Sequence, residues 1–337
     1  MLQKAVIDAL KRPEAYDEEV LYVKMLQTHI SYIFLTGRFA YKIKKPVNFG
    51  FLDFTTLDKR KFYCEEEVRL NRRLCEDMYL GVFPITSFKG SIKVNGSGNI
   101  VEYTVKMKEL PQEALMSELL KKGKVSSSVI DEIARILSDF HKKAETSKEI
   151  EKYGSIDIVK FNWDENFSQT RSFIGKTIHQ KDFYFIRNMV RSFLKSRRDL
   201  FELRIKEGKI RECHGDLHSG NIFVTDDRIY IYDAIEFNKR FRYSDVASDV
   251  AFLLMDLEFL GRNDLSDILL NRYLEYSGEK EDFLEVLPFY KCYRAYVRGK
   301  VTSFKINDPN ISSEEKGESM RMAERYFKMS REYAEQM

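Results

Sequence analysis

The sequence predicts an α+β chain of two lobes. A small antiparallel sheet with one helix is expected in residues 1–110, and a larger, mostly helical lobe in residues 111–337. Two observations carry this. Before Pro111, short runs rich in Val, Ile, Tyr and Phe are joined by turn residues, at 30–35 and 39–45 and again at 91–94 and 99–107; this is the pattern of β-hairpins. After Pro111, apolar residues recur three and four apart over most of the remaining length, the pattern of amphipathic helices. At 337 residues the chain is long for one core and comfortable for two.

Residues 2–11 and 18–26 read as helices ahead of the sheet, on Ala5, Val6, Ala9 and Leu10 and then on Val20, Leu21, Val23, Met25 and Leu26. The first hairpin turns at Thr36-Gly37-Arg38, and its second strand stops at Pro46. Strand side chains alternate, so Lys42 and Lys44 share one face. An aromatic loop follows at 49–54. Residues 56–74 turn helical, with Leu57, Tyr63, Val68, Leu70 and Leu74 among many charges, including Glu65, Glu66 and Glu67. More sheet begins at 81–86, and the second hairpin turns at Asn95-Gly96-Ser97-Gly98. Helices are expected at 112–122 and 127–145, the latter with a stripe of Val129, Ile130, Ile133, Ile136, Leu137 and Phe140. Residues 150–180, with the sole tryptophan Trp163, and a helix at 182–206 read as the wall of a substrate pocket, although the same aromatic and polar mixture suits a plain core. From 253 onward the pattern is amphipathic helix.

One stretch interrupts the helical half: His214-Gly215-Asp216-Leu217-His218-Ser219-Gly220-Asn221. Two glycines weaken a helix, and there is no alternation for a strand, so it reads as a loop. It opens into 222–224, which pairs with 229–232 around Thr225-Asp226-Asp227-Arg228. That hairpin returns Asp233 beside the loop. Asn221 and Asp233 then offer two oxygen ligands with open positions, which suits Mg²⁺. A catalytic Asp216, a metal-binding Asn221 and a metal-binding Asp233 form the phosphoryl-transfer layout of the kinase class. A polar surface loop before an ordinary hairpin is the competing reading; the complete order of loop, Asn, strand, turn, strand and Asp favours chemistry.

These residues resemble the catalytic loop of the aminoglycoside phosphotransferase family, the small-molecule branch of the protein-kinase-like fold. Tyr232-Asp233-Ala234-Ile235-Glu236-Phe237-Asn238 resembles a variant used by one subgroup, and the likeness extends from about residue 29 to residue 258. It implies a two-lobe kinase-like fold, use of ATP or GTP with Mg²⁺, and transfer of the γ-phosphate to a hydroxyl of a sugar, amino sugar or aminoglycoside-like molecule. Asp216 would orient the hydroxyl and take its proton; His214 is the second candidate catalytic residue, either acting directly or holding the loop in shape through its backbone or Asp233. A strand lysine would hold the nucleotide phosphates: Lys42 fits Phe39-Ala40-Tyr41-Lys42, and Lys44 fits in a shifted register. Glu67 would pair with that lysine, leaving Glu65 and Glu66 as solvated charges. The backbone from Met107 to Glu109 would meet the adenine edge at the hinge. Asp245 and Asp249, one helical turn apart, would brace the loop, with Asp249 accepting from its backbone; Asp245 also reads as a helix cap. His141 reads as a packed structural residue, and His218 as facing the acceptor. The Gly-rich phosphate loop of the fold is missing, which leaves residues 28–31 as the polar candidates to cover the phosphates.

Several classes are disfavoured. A net charge of +3, from 56 basic and 53 acidic residues, argues against a nucleic-acid surface. No apolar run has the length of a membrane span, and the opening residues lack the apolar stretch of a signal peptide, so a cytoplasmic location is expected. Cys64, Cys75, Cys213 and Cys292 form no C-x-x-C pair. There is no G-x-x-x-x-G-K-[ST] stretch. Ala234-Ile235 stands where protein kinases carry Phe-Gly, and no A-P-E segment follows, so a small substrate is favoured over a peptide. A nucleotide-binding regulator without turnover is the alternative. Glu236, Asp256 and Glu258 could line an acidic acceptor pocket or be surface charges.

Overall fold

The computed structural model describes residues 2–308 and 311–337; Met1 of the opening segment, and Pro309 and Asn310 of the helical lobe, lie outside the described residues. In chain order the elements are α1 (Leu2–Leu10), β1 (Lys24–Gln27), β2 (Ser31–Leu35), β3 (Phe39–Lys44), α2 (Leu57–Cys75), β4 (Tyr79–Phe88), β5 (Ser91–Val94) and β6 (Asn99–Lys108). There follow α3 (Met116–Lys121), α4 (Ser127–Lys143), α5 (Lys148–Glu151), α6 (Ile156–Thr170), α7 (Gln180–Ser196), α8 (Arg198–Lys206), β7 (Ile210–Glu212), β8 (Ile222–Val224) and β9 (Ile229–Ile231). The chain ends with α9 (Lys239–Arg242), β10 (Tyr243–Asp245), α10 (Val246–Phe259), α11 (Asn263–Ser277), α12 (Glu281–Lys305) and α13 (Ser313–Ala334).

The chain forms two compact units. The first joins Met1–Leu119 to Gly220–Lys239. Its six-stranded sheet has the order β1-β2-β3-β6-β4-β5, antiparallel throughout. Alternation along β3 sends its residues to two core layers. Tyr41 and Ile43 pack with Val6, Leu10, Phe34 and Ile85. Ala40 packs on the other face with Cys64, Val68 and Cys75 of α2. The β8–β9 hairpin, in register Ile222↔Ile231, adds Phe223 and Tyr230 to that second layer, which is why a segment so late in sequence belongs to this unit. Thr56 caps α2 by accepting from the Lys59 N–H at 3.2 Å, satisfying one of the open donors of the first turn.

Residues 18–26 are not a helix. Lys24–Gln27 is an edge strand, paired from Lys24↔Leu35 to Gln27↔Tyr32. The reason is visible in burial: Met25 packs on one core layer and Leu26 on the other, a period of two, while Leu21 and Tyr22 are exposed. The helical spacing had counted the solvent-facing Leu21 as core.

The second unit joins Leu120–Ser219 to Arg240–Met337 and is mainly helical. In α4, Ile130, Ile133, Ala134 and Leu137 are fully buried, and Ser126 caps its first turn. The expected helix at 182–206 is two, α7 and α8, separated at Arg197, whose φ of −114° and ψ of 30° leave the helical region. Trp163 is no pocket wall. It is 1% exposed, stacked on Phe167 and met edge-on by Phe289, Tyr293 and Tyr296, a core arrangement favoured by ring quadrupoles. All four cysteines are buried thiols. No helix among the described residues is long and apolar enough to cross a membrane.

Candidate functional site

In the first unit, β3 and α2 build a cluster of five charges. Lys42 and Lys44 project from the same face of β3, 9% and 1% exposed. Glu67 of α2, fully buried, divides its carboxylate between them: Oε1 lies 2.7 Å from Lys42 Nζ and Oε2 lies 2.7 Å from Lys44 Nζ. Each lysine has a second carboxylate. Lys42 donates to Asp233 Oδ1 at 2.6 Å, and Lys44 donates to Glu236. The choice between the lysines therefore dissolves: both meet Glu67, and they differ in their second partner. Burial pushes Glu67 up, but the two ammonium groups overcome it and hold the carboxyl at about 2. Burial lowers Lys42, and Asp233, Glu67 and Glu236 more than reverse this, so Lys42 stays charged. Glu236 is pushed up by burial and opposed by Lys44.

The hairpin places Asp233. Tyr232 N–H donates to Asn221 O at 3.0 Å, extending the β8–β9 ladder by one position and setting Asn221 and Asp233 at the same end. Asp233 has a φ of +64°. This left-handed conformation costs an ordinary residue roughly 1–2 kcal/mol, though Asp tolerates it better than most. The next residue is pinned, Ala234 N–H to Asn71 Oδ1 at 2.9 Å, and Asn71 is itself held by its amide to Glu67 O at 2.8 Å. Asn221, 7% exposed, and Asp233, with its side chain 41% exposed, stand at one hairpin end, and a side-chain amide and a carboxylate are oxygen donors of the type that suits Mg²⁺ or Ca²⁺.

Residues 107–109 and the β1–β2 turn spend much of their backbone internally. Met107 is buried between Ala40 and Tyr79. Lys108 N–H donates to Met78 O, and Glu109 N–H to Arg38 O. The Glu109 carboxylate accepts from Gly37 N–H at 2.8 Å, so this side chain fastens the β2–β3 turn. In the β1–β2 turn, Thr28 N–H donates to Ser31 O, and the Ile30 and Ser31 amides donate to Thr28 Oγ1. A Gly-rich loop instead turns its amides outward to an anion.

In the second unit the loop after β7 is fixed through its backbone. Asp249 of α10 accepts from His214 N–H at 2.6 Å and from Gly215 N–H at 2.9 Å. Asp216 N–H donates to His214 Nδ1 at 3.2 Å, and His214 is fully buried, so its ring shapes the loop. Gly215 has a φ of +87° and no room for a side chain: a Cβ would lie 2.8 Å from Phe241 O. Ser219 donates to Asp256 through its N–H at 2.8 Å and its Oγ at 2.5 Å, and Arg294 donates to Gly215 O at 2.7 Å. Asp216 is left with its side chain 37% exposed, its Oδ2 3.5 Å from His218 Nε2. Burial pushes the Asp216 carboxyl up, but His218, Arg298 and His214 outweigh it and hold it below the usual carboxylate range. Asp249, likewise raised by burial and lowered by His141, His214 and Arg294, sits at about 2. Asp245 faces elsewhere. It caps α10 through Ala247 N–H and pairs with the buried Arg204 at 2.6 Å. His141 is buried, 2.9 Å from Tyr273 Oη.

Sequence reasoning missed Glu236 as a partner of Lys44, Asn71 behind Asp233, and Asp256 and Arg294 around the loop. Asn71 carried a signal, standing four residues after Glu67 on one helix face, and so did Asp256, two turns beyond Asp249. The acidic pocket wall is corrected. Glu236 is 4% exposed and engaged by Lys44, Asp256 is 5% exposed and engaged by Ser219, and Glu258 is taken by Lys291, Ser266 and Tyr333.

Comparison with known proteins gives the class of fold. Amicoumacin kinase in complex with AMP-PNP and Ca²⁺ superposes with a TM-score of 0.54 at 13% identity, over 97% of this chain and 93% of that one. A putative aminoglycoside phosphotransferase from Ralstonia eutropha gives 0.52 at 12%, over 99% and 98%. A choline/ethanolamine kinase family protein from Mesorhizobium loti gives 0.51 at 12%, over 98% and 100%. The fold is thus the protein-kinase-like fold in the form carried by small-molecule kinases, with a six-stranded antiparallel sheet and a larger helical part. In sequence, the chain is 35% identical over 280 residues to uncharacterized proteins of Mycobacterium tuberculosis and Mycobacterium bovis, covering 83% of this chain and 54% of theirs. The chain spans about half the length of the curated relatives it matches. No family model matches it.

Proposed function

We propose that the chain is an ATP-dependent phosphotransferase that moves the γ-phosphate to a hydroxyl of a small molecule. The observation that carries this reading is the Lys42–Glu67–Asp233 arrangement: a strand lysine fixed by a helix glutamate beside a carboxylate fit for a hard cation, the phosphate-holding half of a kinase. Asn221 and Asp233 would hold Mg²⁺, which when bound would screen the phosphate charge. Lys42, positioned by Glu67, would hold the nucleotide phosphates. The adenine edge would meet the backbone from Met107 to Glu109.

Asp216 lies five residues before Asn221 on the chain. Held ionised by His218, Arg298 and His214, it would orient the acceptor hydroxyl and receive its proton late, in keeping with the loose transition state of phosphoryl transfer. Orientation and charge stabilisation would supply most of the acceleration. His214 and Asp249 act through loop shape. The kinase-like neighbours act on small molecules, by their names amicoumacin and aminopropanol among them, and a hydroxylated metabolite is the acceptor class proposed here.

The test is ATP consumption by the purified chain with Mg²⁺ across a panel of hydroxylated metabolites, beside Asp216→Ala. Turnover with one acceptor, reduced roughly a hundredfold or more in the variant, supports the proposal. A second reading, a nucleotide-binding regulator, is favoured by one observation: the β1–β2 turn spends the amides of Thr28, Ile30 and Ser31 on itself. Nucleotide binding without turnover on any acceptor would shift the conclusion to it.

A further inference from the structure

The kinase reading needs one lysine on β3 and one carboxylate after β9. The first unit holds a second of each, and their placement is specific. Lys44 and Glu236 are 1% and 4% exposed, whereas Asp233, the partner of Lys42, is 41% exposed. One ion pair reaches solvent through Asp233 and the other is buried. We propose that Lys44 and Glu236 form a permanent latch that positions Asp233 for the metal, with Glu236 a positioning residue; the inference rests on the kinase reading of this site.

Two arguments support the latch. The first is mechanical. The segment from Asp233 to Glu236 is tied to β3 and α2 at three points: Asp233 to Lys42, Ala234 to Asn71, and Glu236 to Lys44. Nucleotide and cation together would open the first tie, because Lys42 would turn to phosphate and Asp233 to the cation. The buried tie through Glu236 stays, together with the Asn71 hydrogen bond. Asp233 keeps its left-handed backbone only if the chain is held on both sides, by β9 before it and by this tie after it. The second argument is electrostatic. The cluster contains two ammonium groups and three carboxylates. With Lys44 present, Glu67 and Glu236 retain a buried counter-charge when Lys42 is drawn to phosphate. Without Lys44, Lys42 would be the single cation among Glu67, Glu236 and Asp233 and would be held inward. Lys44 thus releases Lys42 for the nucleotide.

The experiment uses Glu236→Gln, Lys44→Met and Lys44→Arg, with AMP-PNP as the probe. Nucleotide binding is measured by calorimetry while Mg²⁺ is titrated, and again in EDTA. Hydrogen exchange of the amides at 234–238 is followed without ligand. In Glu236→Gln the Mg²⁺ concentration for half-maximal effect is expected to rise about 10–100-fold, the usual loss when a partner that orients a metal ligand is removed. Binding in EDTA is expected to stay at the wild-type level, and exchange at 234–238 to accelerate at least tenfold while the rest of the sheet keeps its protection. Lys44→Arg restores the ion pair and both readouts. A purely structural ion pair would move overall stability and leave the Mg²⁺ requirement untouched. Should a single variant fail to fold, Lys44→Met with Glu236→Leu removes both charges together, an exchange that buried ion pairs often tolerate, and the same Mg²⁺ shift is expected. An unchanged Mg²⁺ requirement in Glu236→Gln overturns the latch. If the wild-type chain binds no AMP-PNP, the kinase reading fails, and the exchange data alone decide: acceleration at 234–238 supports the latch as a tie of the segment, and wild-type exchange there overturns it.

Discussion

Asp249→Asn tests whether one buried carboxylate holds the loop around Asp216. The carboxylate is fully buried and accepts two backbone N–H groups, from His214 and Gly215, at 2.6 and 2.9 Å. Asparagine keeps one acceptor oxygen, so one of those N–H groups would face an amide donor and the other would lose a charged partner. Hydrogen bonds to a charged group contribute about 1.5–3 kcal/mol each, so the change should cost roughly 2–4 kcal/mol. The carboxyl's own titration gives a similar size. Its folded pKa of about 2 lies below the ordinary 3.8, and a displacement of nearly two units corresponds to roughly 2 kcal/mol. Because the folded value is the lower one, this stability is fully present above pH 4 and is lost as the pH falls through 2. Urea unfolding of the wild type and the variant at pH 7 should differ by that amount, and the gap should narrow between pH 4 and pH 2. Hydrogen exchange should speed up at the amides of His214 and Gly215. A variant within 0.5 kcal/mol of wild type, with both amides still protected, would refute the reasoning.

Other expectations follow from single contacts. Gly215→Ala forces a side chain at a φ of +87° and 2.8 Å from Phe241 O; it should destabilise by about 2 kcal/mol or more, and an unshifted urea midpoint would contradict this. Lys42→Met should weaken binding of Mg²⁺-nucleotide at least tenfold, the scale of one lost charged contact, while Glu66→Gln, whose carboxylate pairs with Arg69 on its own helix, should leave titration calorimetry unchanged. Arg204 is fully buried among Asp245, Glu279 and Asp282, at 2.6, 2.6 and 2.8 Å. Arg204→Met strands those carboxylates and should cost about 3–5 kcal/mol in unfolding at pH 7; a loss under 1 kcal/mol would mean the acids find other partners.

What could be read from the sequence was what local pattern dictates. The β2–β3 hairpin announced itself through alternation and a Thr-Gly-Arg turn, and the α4 stripe through its period. The order of loop, Asn221, hairpin and Asp233 was legible because all of it lies within twenty residues. Short or interrupted elements were not. β1 has four residues, too few for a period to show against the exposed Leu21 and Tyr22. The break at Arg197 sits inside an unbroken helical rhythm and leaves no mark in the pattern. Trp163 looked as suited to a pocket as to a core, because composition does not say which rings surround it.

The charged cluster shows where the boundary lies. From sequence, Lys42 and Lys44 posed a question of register: which of the two would hold the phosphates. Strand geometry answers that both face the same way, and one helix glutamate with two oxygens can serve both. What separates them is the second partner of each, Asp233 or Glu236, nearly two hundred residues further on. Those partners stand near the two lysines where a hairpin, a left-handed aspartate and an asparagine from α2 hold the chain. A lysine's role is therefore set less by its own strand than by the exposure of the carboxylate it meets. Lys42 meets a half-exposed one that a cation can claim, and Lys44 meets a buried one that nothing displaces. The same criterion predicts the order of sensitivity: charge removal at position 42 should act first on phosphate affinity, and at position 236 first on the metal requirement. Equal loss of both quantities in the two variants would show that the cluster acts as one undivided unit.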